Sequence, residues 1–305
     1  MKERAMVPRA RPAAHDSYYG RPILKQPTWK HWIPAYFFSG GLAGGSSMLA
    51  AGARRSGDHA LARRADVTSL AAISASAGFL VADLGVPSRF ANMLRVARPT
   101  SPMSMGSWLL AAFGPASGAA AACDVLGVFP RLGRLAETSA AVMGPAVASY
   151  TAVLVSDTAI PVWHEARREL PFVFVSSAMA SAGAAALVHT PPSHAGAARR
   201  MALLGVAGEI AATRVMEHRL GALAEPYHHD PRTARLSKAA RGLIAAGAAA
   251  IVARGRRSRA AAAVGGALVL AGSALERFAI VSAGDASAAD PKYVVDPQRH
   301  RTNSA

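Results

Sequence analysis

The sequence is poor in cysteine and in charge, and each shortage excludes a class of protein. Cys123 is the single cysteine, so the chain has no intrachain disulfide and no CxxC zinc site. A self-contained iron–sulfur cluster needs about four thiolates and is excluded as well. Charged residues make up 17% of the 305 residues, whereas a soluble domain usually carries about 25%. The composition is therefore not that of an ordinary soluble enzyme.

Several motifs of redox and nucleotide chemistry are also missing. Bis-histidine haem requires histidines deep in facing helices, but the ten histidines lie in predicted loops, tails or span ends, with His189 at the edge of one span. The sequence has no Walker loop and no GxGxxG strand–turn–helix, so it is not a self-powered ATPase. An internal inverted repeat of the kind found in secondary transporters is not evident. The first 32 residues carry Lys and Arg throughout, which argues against a secretory signal peptide.

Hydrophobic residues, mostly Ala, Gly, Leu and Val, make up 51% of the chain, and its mean hydropathy is +0.21. They fall into eight blocks, most of which reach the roughly 17–25 residues that cross a bilayer. The seventh block is the weakest, because the 12 residues between Arg241 and Arg254 cover only about 18 Å of helix. We predict an all-α integral membrane protein, a bundle of about eight transmembrane helices, with seven as the alternative. The predicted spans are about 33–53, 66–84, 105–128, 138–160, 171–189, 201–221, 236–254 and 260–283.

Small residues and prolines inside the spans fit helices that pack in lipid. Gly40-Gly41 and Gly44-Gly45 repeat at a spacing of four and predict close backbone contact by the first helix. Pro115 and Pro145 fall in mid-span, where a membrane helix tolerates a kink if its neighbours cover the freed carbonyl.

The polar stretches divide the chain into an extended basic arm over 1–32, a transmembrane helical domain over 33–284 and a polar tail over 285–305. With eight spans, both tails lie on one side, which holds 21 of the 34 Lys and Arg residues, against 12 on the other. The positive-inside rule then favours the side of the tails as cytoplasmic, although tails weigh less in that rule than short loops. The net charge of +16 does not predict nucleic-acid binding, because the basic residues are spread as pairs and short clusters between apolar blocks.

Ionisable groups at the ends of the spans form a first candidate site. Asp83 ends the second span and Asp157 the fourth, and because spans alternate in direction both lie on the side of His31. Tyr150 precedes Asp157 by seven residues, so it lies two turns deeper on nearly the same helical face. A phenol, a carboxylate and an imidazole at one membrane face suit an amphipathic headgroup that enters from the lipid. The alternative for each single residue is helix capping or an ion pair with a nearby arginine.

A second candidate group lies in the sixth and eighth spans. Glu209 and Glu217 are eight residues apart and share a helical face, and Arg214 is placed to pair with Glu217 at i+3. Arg277 follows Glu276 where the two interrupt the eighth span. These residues predict either a proton path or a counter-charge for a headgroup, and a structural ion pair between helices remains an equal alternative.

Four stretches resemble one known family. The first span, WIPAYFFSGGLAGGSSMLAAG, looks like the opening helix of the NrfD-type, or polysulfide reductase membrane subunit, family. So do LVADLGVPSRFANMLRVARPTSPMSMGSWLL, with its acidic-Leu-Gly-x-Pro-x-Arg-Phe turn, SYTAVLVSDTAIPVWHEARRELPFVFVSSAMASAGA, and the final RFAIVSAG. The resemblance covers nearly all of residues 29–284.

This resemblance implies a quinone-interacting membrane anchor of eight or nine helices without haem or an iron–sulfur cluster of its own. Such a subunit sits in the bacterial cytoplasmic membrane and binds quinone, such as menaquinone, near one face. It exchanges electrons with a ferredoxin-like iron–sulfur subunit, which serves a molybdopterin catalytic subunit for polysulfide, formate or a related substrate. In the family's quinone site a tyrosine of the fourth helix contributes a hydrogen bond, and Tyr150 matches it. His31, next to Trp32, more loosely matches a polar contact at the start of the first helix.

We extend the site to Asp157, with Asp83, as a proton-relay candidate, because quinol oxidation releases protons that need an acceptor near the headgroup. Two other classes of function stay open. A transporter would place its charged groups near the midplane of broken helices. A structural anchor would recruit partner subunits without binding quinone.

Overall fold

The computed structural model describes residues 23–296, which contain helices and connections and, within that range, no strand. Eight long helices confirm the predicted all-α fold. They are α1 (Trp32–Arg55), α2 (His59–Asp83), α3 (Pro102–Leu126), α4 (Pro130–Ser156), α5 (Leu170–His189), α6 (Gly196–Leu220), α7 (Pro231–Arg254) and α8 (Arg259–Ala289). Short helices lie in the connections at Phe90–Met93, Pro161–Glu165 and Glu225–His229. The first 22 residues of the predicted arm and residues 297–305 of the predicted tail lie outside the described part.

Six of these helices, α2, α3, α4, α5, α7 and α8, are long and apolar enough to cross a membrane. The two that fall below this threshold are α1, which is rich in Gly and Ser and largely buried by its neighbours, and α6, which carries several charged residues. The prediction that the seventh block is the weakest is wrong. Helix α7 begins at Pro231, five residues earlier than predicted, because the Asp230 side chain accepts a hydrogen bond from the backbone N–H of Thr233 at 2.8 Å.

The helices form two groups that meet through α1. Helices α1 to α4 pack together, α5 to α8 pack together, and α1 lies against both α4 and α5. A Cβ on Gly44 would stand 2.5 Å from the carbonyl oxygen of Gly144 in α4, and one on Gly45 would stand 2.5 Å from that of Ala178 in α5. The predicted close packing of the first helix is therefore confirmed, and α1 is the helix around which the bundle is built.

Successive helices run in opposite directions, so their ends collect at two ends of the bundle. The aromatic end holds the start of α1 and the ends of α2, α4 and α8, with Trp29, Trp32, Tyr36, Phe37, Phe79, Tyr150, Trp163 and Phe174. The arginine end holds the opposite termini, with Arg54, Arg55, Arg63, Arg64, Arg131, Arg134, Arg199, Arg200, Arg254, Arg256, Arg257 and Arg259. Both ends of the described chain belong to the aromatic end, as an even number of crossings requires.

Large apolar side chains are exposed around the outside of the bundle. Val142 is 73% exposed, Phe172 68%, Leu204 65% and Val252 66%, and they belong to four different helices. Apolar surface spread over so many helices is unfavourable in water but suits contact with lipid chains. Together with the six apolar helices, it identifies a multi-pass membrane protein.

Candidate functional site at the aromatic end

Two tyrosines from different helices meet in the aromatic end. The hydroxyl groups of Tyr36 in α1 and Tyr150 in α4 are hydrogen-bonded to each other, and their ring centroids lie 6.4 Å apart. Tyr36 is only 3% exposed, whereas Tyr150 is half-buried. A hydrogen bond between two phenols uses one of their two hydrogens. If Tyr36 donates to Tyr150, the hydrogen of Tyr150 is left for a ligand at the less buried side.

The position of Tyr150 depends on a glycine in the neighbouring helix. A Cβ on Gly106 of α3 would overlap the Tyr150 ring at Cε2 and Cδ2. Any larger residue at this position would push the ring away from its present place. Gly106 lies in one of the four stretches that carry the family resemblance, but its contact with Tyr150 is visible only in the structure.

The start of α1 is held against the end of α2 by stacking and by one hydrogen bond. Trp32 stacks on Phe79 with a centroid distance of 5.8 Å, and the exposed His31 ring lies 4.3 Å from that of Trp32. The backbone N–H of Lys30 donates to Asp83 Oδ1 at 3.2 Å. His31, Trp32 and Asp83 are thus gathered at one end of the bundle, and one role of Asp83 is to fix the chain that enters α1.

Asp157 lies at the surface of the same end. It caps the C-terminus of α4, where its backbone N–H donates to the carbonyl of Val153 at 2.9 Å, and its side chain is exposed. Seven residues of helix separate it from Tyr150, about 10.5 Å along the axis. The carboxylate is therefore nearer the surface than the tyrosine pair, and its role as a proton relay stays a prediction.

A chain of aromatic contacts leads from the surface into the bundle. The Trp29 ring stacks on that of Trp163, with their centroids 5.1 Å apart, and it lies edge-on to Phe37, with a centroid distance of 6.0 Å. Phe37 contacts Phe174 in α5 at 6.0 Å, and the guanidinium of Arg277 lies 3.7 Å above the Phe174 ring. Phe37 is also next to Tyr36, so the aromatic chain joins the tyrosine pair to a buried charge in α8.

The second predicted group is deeply buried between α6, α7 and α8. Glu209, Glu276 and Arg277 are 2%, 4% and 2% exposed, and Ser273 donates to Glu209 Oε2 at 3.4 Å. Among the described residues, the oxygen Oε1 of Glu209 and two nitrogens of Arg277 have no hydrogen-bond partner. Glu209 and Glu276 line a cavity of about 230 Å³. Because α8 continues to Ala289, beyond the predicted limit at 284, Glu276 and Arg277 lie near the middle of the helix rather than at its end.

The partner of Glu217 differs from the predicted one. Glu217 forms an ion pair with Arg241 of α7, and its other oxygen lies 3.6 Å from His228 Nε2. Arg214 is exposed and lines the same cavity. An i+3 spacing permits a contact within one helix, but here a neighbouring helix offers the carboxylate a closer cation.

Sequence reasoning missed two features altogether. Tyr36 carried a signal, because it follows Trp32 by four residues and so shares its helical face. The second feature lies at the arginine end, where the Arg54 side chain contacts three carboxylates from three other helices: Asp66 at 2.8 Å, Asp124 at 2.9 Å and Glu137. Arg63 adds a second contact to Asp124 at 2.8 Å. No spacing rule joins these residues, since each comes from a different helix end.

A charged contact outside the eight long helices fixes the chain that leaves α8. Lys292 Nζ lies 3.0 Å from Glu225, and the hydrogen bond from Lys292 lowers the pKa of Glu225. This contact joins the segment after α8 to the connection between α6 and α7 at the aromatic end.

The chain matches a known protein family. A family model described as polysulfide reductase, of the NrfD type, matches residues 16–290. Among curated proteins no sequence matches the chain.

Proposed function

Because the chain belongs to the NrfD-type polysulfide reductase family, we propose that it binds quinone or quinol at its aromatic end and exchanges electrons with a partner iron–sulfur subunit. The family consists of membrane subunits of oxidoreductase complexes. The proposal places this chain in the bacterial cytoplasmic membrane, with a menaquinone-type molecule as its bound substrate. The terminal substrate of the complex would be polysulfide, formate or a related compound.

The observation that carries the proposal is the pair of hydrogen-bonded tyrosines. A quinone carbonyl needs a hydrogen-bond donor, and the pair has one hydrogen that its mutual bond does not use. Trp32 and Phe79 add stacked apolar rings nearby, which suit the flat ring of a quinone. The lipid tail of the quinone would remain in the membrane beside the bundle.

Electrons need a route out of the chain, and its single cysteine cannot hold a cluster. We assign that route to an iron–sulfur subunit bound at the aromatic end, which in turn serves a molybdopterin subunit. The connection between α2 and α3 is a suitable surface, since residues 84–101 include no buried position. It carries Arg89, Arg95 and Arg98, which would favour an acidic partner surface.

The buried charges of α6 and α8 suggest a second role in the same chain. Two buried carboxylates, Glu209 and Glu276, share the interior with the buried guanidinium of Arg277, and ionisable groups at membrane depth usually mark a functional site. A proton path through Glu209 and Glu217 fits this arrangement, as does a structural pair that holds α6 to α8. Mid-helix charges are also what a transporter would have, but α6 and α8 are continuous helices rather than broken ones.

A photoreactive azidoquinone tests the proposal directly. Purified full-length protein is labelled, digested and mapped by mass spectrometry. We expect labelled peptides from the start of α1 and the end of α4, with labelling suppressed by excess unmodified quinone. Labelling confined to the cavity beside Glu209, or labelling that excess quinone does not suppress, would contradict the proposed site.

The partner is tested separately by purifying the tagged chain from its native membranes. Iron and acid-labile sulfide that co-purify with a second polypeptide are expected. A chain that purifies alone from gently solubilised membranes, while still labelled by azidoquinone, would contradict the assigned electron partner and leave the quinone site intact.

A further inference from the structure

A corner of the arginine end, distant from the aromatic end, carries positive charge without a counter-charge. Arg64 of α2 and Arg259 at the start of α8 are both near enough to His189, at the end of α5, to act on it electrostatically, and Thr68 of α2 lies 3.2 Å from His189 Nε2. Among residues 23–296, no carboxylate lies within ion-pair distance of Arg64 or Arg259. In this respect the corner differs from Arg54, whose guanidinium is surrounded by three acids.

The same corner contains buried polar atoms that lack hydrogen-bond partners. They are Nη1 of Arg64, Nδ1 of His189 and Oγ1 of Thr190. Thr190 is 0% exposed, so its hydroxyl cannot be satisfied by bulk water. Buried polar groups are nearly always paired in native proteins, and three unpaired ones on adjoining side chains point to a ligand.

The hydrogen bonds around His189 indicate what that ligand would accept. The Thr68 hydroxyl donates to the carbonyl of Arg64 at 2.8 Å, so its hydrogen is already in use. His189 Nε2 lies 3.2 Å from the oxygen of the same hydroxyl, so this nitrogen must donate the hydrogen bond between them. The corner thus offers guanidinium and hydroxyl donors, a set that fits an anionic oxygen group.

Each of the same three helices also exposes a valine close in sequence to the corner. Val67 of α2 is 45% exposed, Val188 of α5 36% and Val264 of α8 57%. Val67 is three residues after Arg64, so it lies on the same face of α2 and about one turn deeper in the membrane than the charge. A ligand that combines an anionic group with hydrocarbon chains would contact both surfaces.

We propose that this corner of α2, α5 and α8 binds the phosphate of an anionic phospholipid headgroup, with the acyl chains against the exposed valines. Arginine pairs with phosphate through two parallel hydrogen bonds, and basic pockets between transmembrane helices bind anionic headgroups. Phosphate is the shared chemistry of a lipid and of the free ion, and the valines favour the lipid. The site is independent of quinone, so it would stand even if the proposed function failed.

Native mass spectrometry of the full-length protein in neutral detergent tests the site. The protein is titrated with dioleoyl phosphatidylglycerol and, separately, with dioleoyl phosphatidylcholine. We expect the anionic lipid to bind at least about tenfold more tightly than the zwitterionic one, at roughly fivefold per arginine. The double variant R64Q/R259Q should lose this preference. The matched control R55Q/R257Q removes two exposed arginines of the same end and should keep it.

A milder variant covers the case in which the double variant does not fold. Thr190→Val removes one buried hydroxyl at constant shape, and it should reduce the thermal stabilisation that phosphatidylglycerol gives to the wild type. Three results would overturn the proposal: equal affinity for the two lipids, equal loss in R64Q/R259Q and R55Q/R257Q, or stabilisation by inorganic phosphate alone at concentrations at which phosphatidylglycerol has no effect.

Discussion

The two ends of the bundle both bury polar groups at membrane depth, but they use those groups differently. At the arginine end, Arg54 directs its guanidinium nitrogens to Asp66, Asp124 and Glu137. At the aromatic end, the Tyr36–Tyr150 pair keeps one hydrogen outside its mutual bond. A saturated network stabilises helix packing, whereas an unsaturated one is ready to bind a ligand. Unused hydrogen-bonding capacity, more than burial, therefore distinguishes a site from a structural contact.

The largest expected effect is at the aromatic end, in Asp157→Asn. The substitution keeps shape and hydrogen bonding but removes the charge, so the complex should assemble while quinol-linked turnover falls by about 10²–10⁴-fold, as expected for a lost proton relay. Turnover is measured in membranes and normalised to assembled complex. Asp290→Asn, at a partly exposed carboxylate of the same end, should have little effect. If Asp157→Asn is as active as the wild type, Asp157 takes no part in proton transfer and is only a residue at the end of a helix.

The second-largest effect is expected at the arginine end. Arg54→Met leaves three neighbouring carboxylates without their common cation, and removing one partner of a buried pair costs about 3–5 kcal/mol. Thermal unfolding in detergent should show a large loss of stability, whereas any protein that remains folded should bind quinone as the wild type does. Arg55→Met removes an exposed arginine next to it and serves as the control. A stable Arg54→Met variant that has lost quinone binding would reverse the assignment of the two ends.

A smaller effect is expected from Gly106→Ala. The added Cβ would overlap the Tyr150 ring, so the ring must shift and its hydroxyl leave the quinone. We expect quinone affinity to fall about tenfold, as for a lost buried hydrogen bond. Gly114→Ala in the same helix meets no heavy atom within 4 Å and is the matched control. Equal affinities in the two variants would show that the position of the Tyr150 ring does not matter for binding.

Much of the fold could be predicted from sequence, because membrane helices can be recognised by their length and hydropathy. All eight blocks correspond to helices, and Pro115 and Pro145 lie inside unbroken ones. Errors collected at helix ends, where capping decides the boundary. Asp230 starts α7 early, and α8 continues to Ala289 through residues that look polar in sequence.

Less of the site could be predicted, because its contacts join distant helices. Spacing rules reach three or four residues along one helix, so they paired Glu217 with Arg214 and could not find Arg241. They placed Tyr150 correctly at the aromatic end but gave no reason to join it to Tyr36, 114 residues away. The contacts of Arg54 could not be predicted for the same reason, since Arg54 and its three carboxylate partners come from four different helices.

The tyrosine pair itself is tested most directly by quinone binding to purified protein. Tyr150→Phe and Tyr36→Phe each remove one hydroxyl while keeping the ring, and a short-chain quinone is titrated into both variants and the wild type. Because one buried hydrogen bond contributes roughly 0.5–1.5 kcal/mol, we predict affinity about twofold to tenfold weaker in Tyr150→Phe. Tyr36→Phe should weaken binding less, since Tyr36 acts through Tyr150. Unchanged affinity in both variants would contradict a quinone site at the aromatic end.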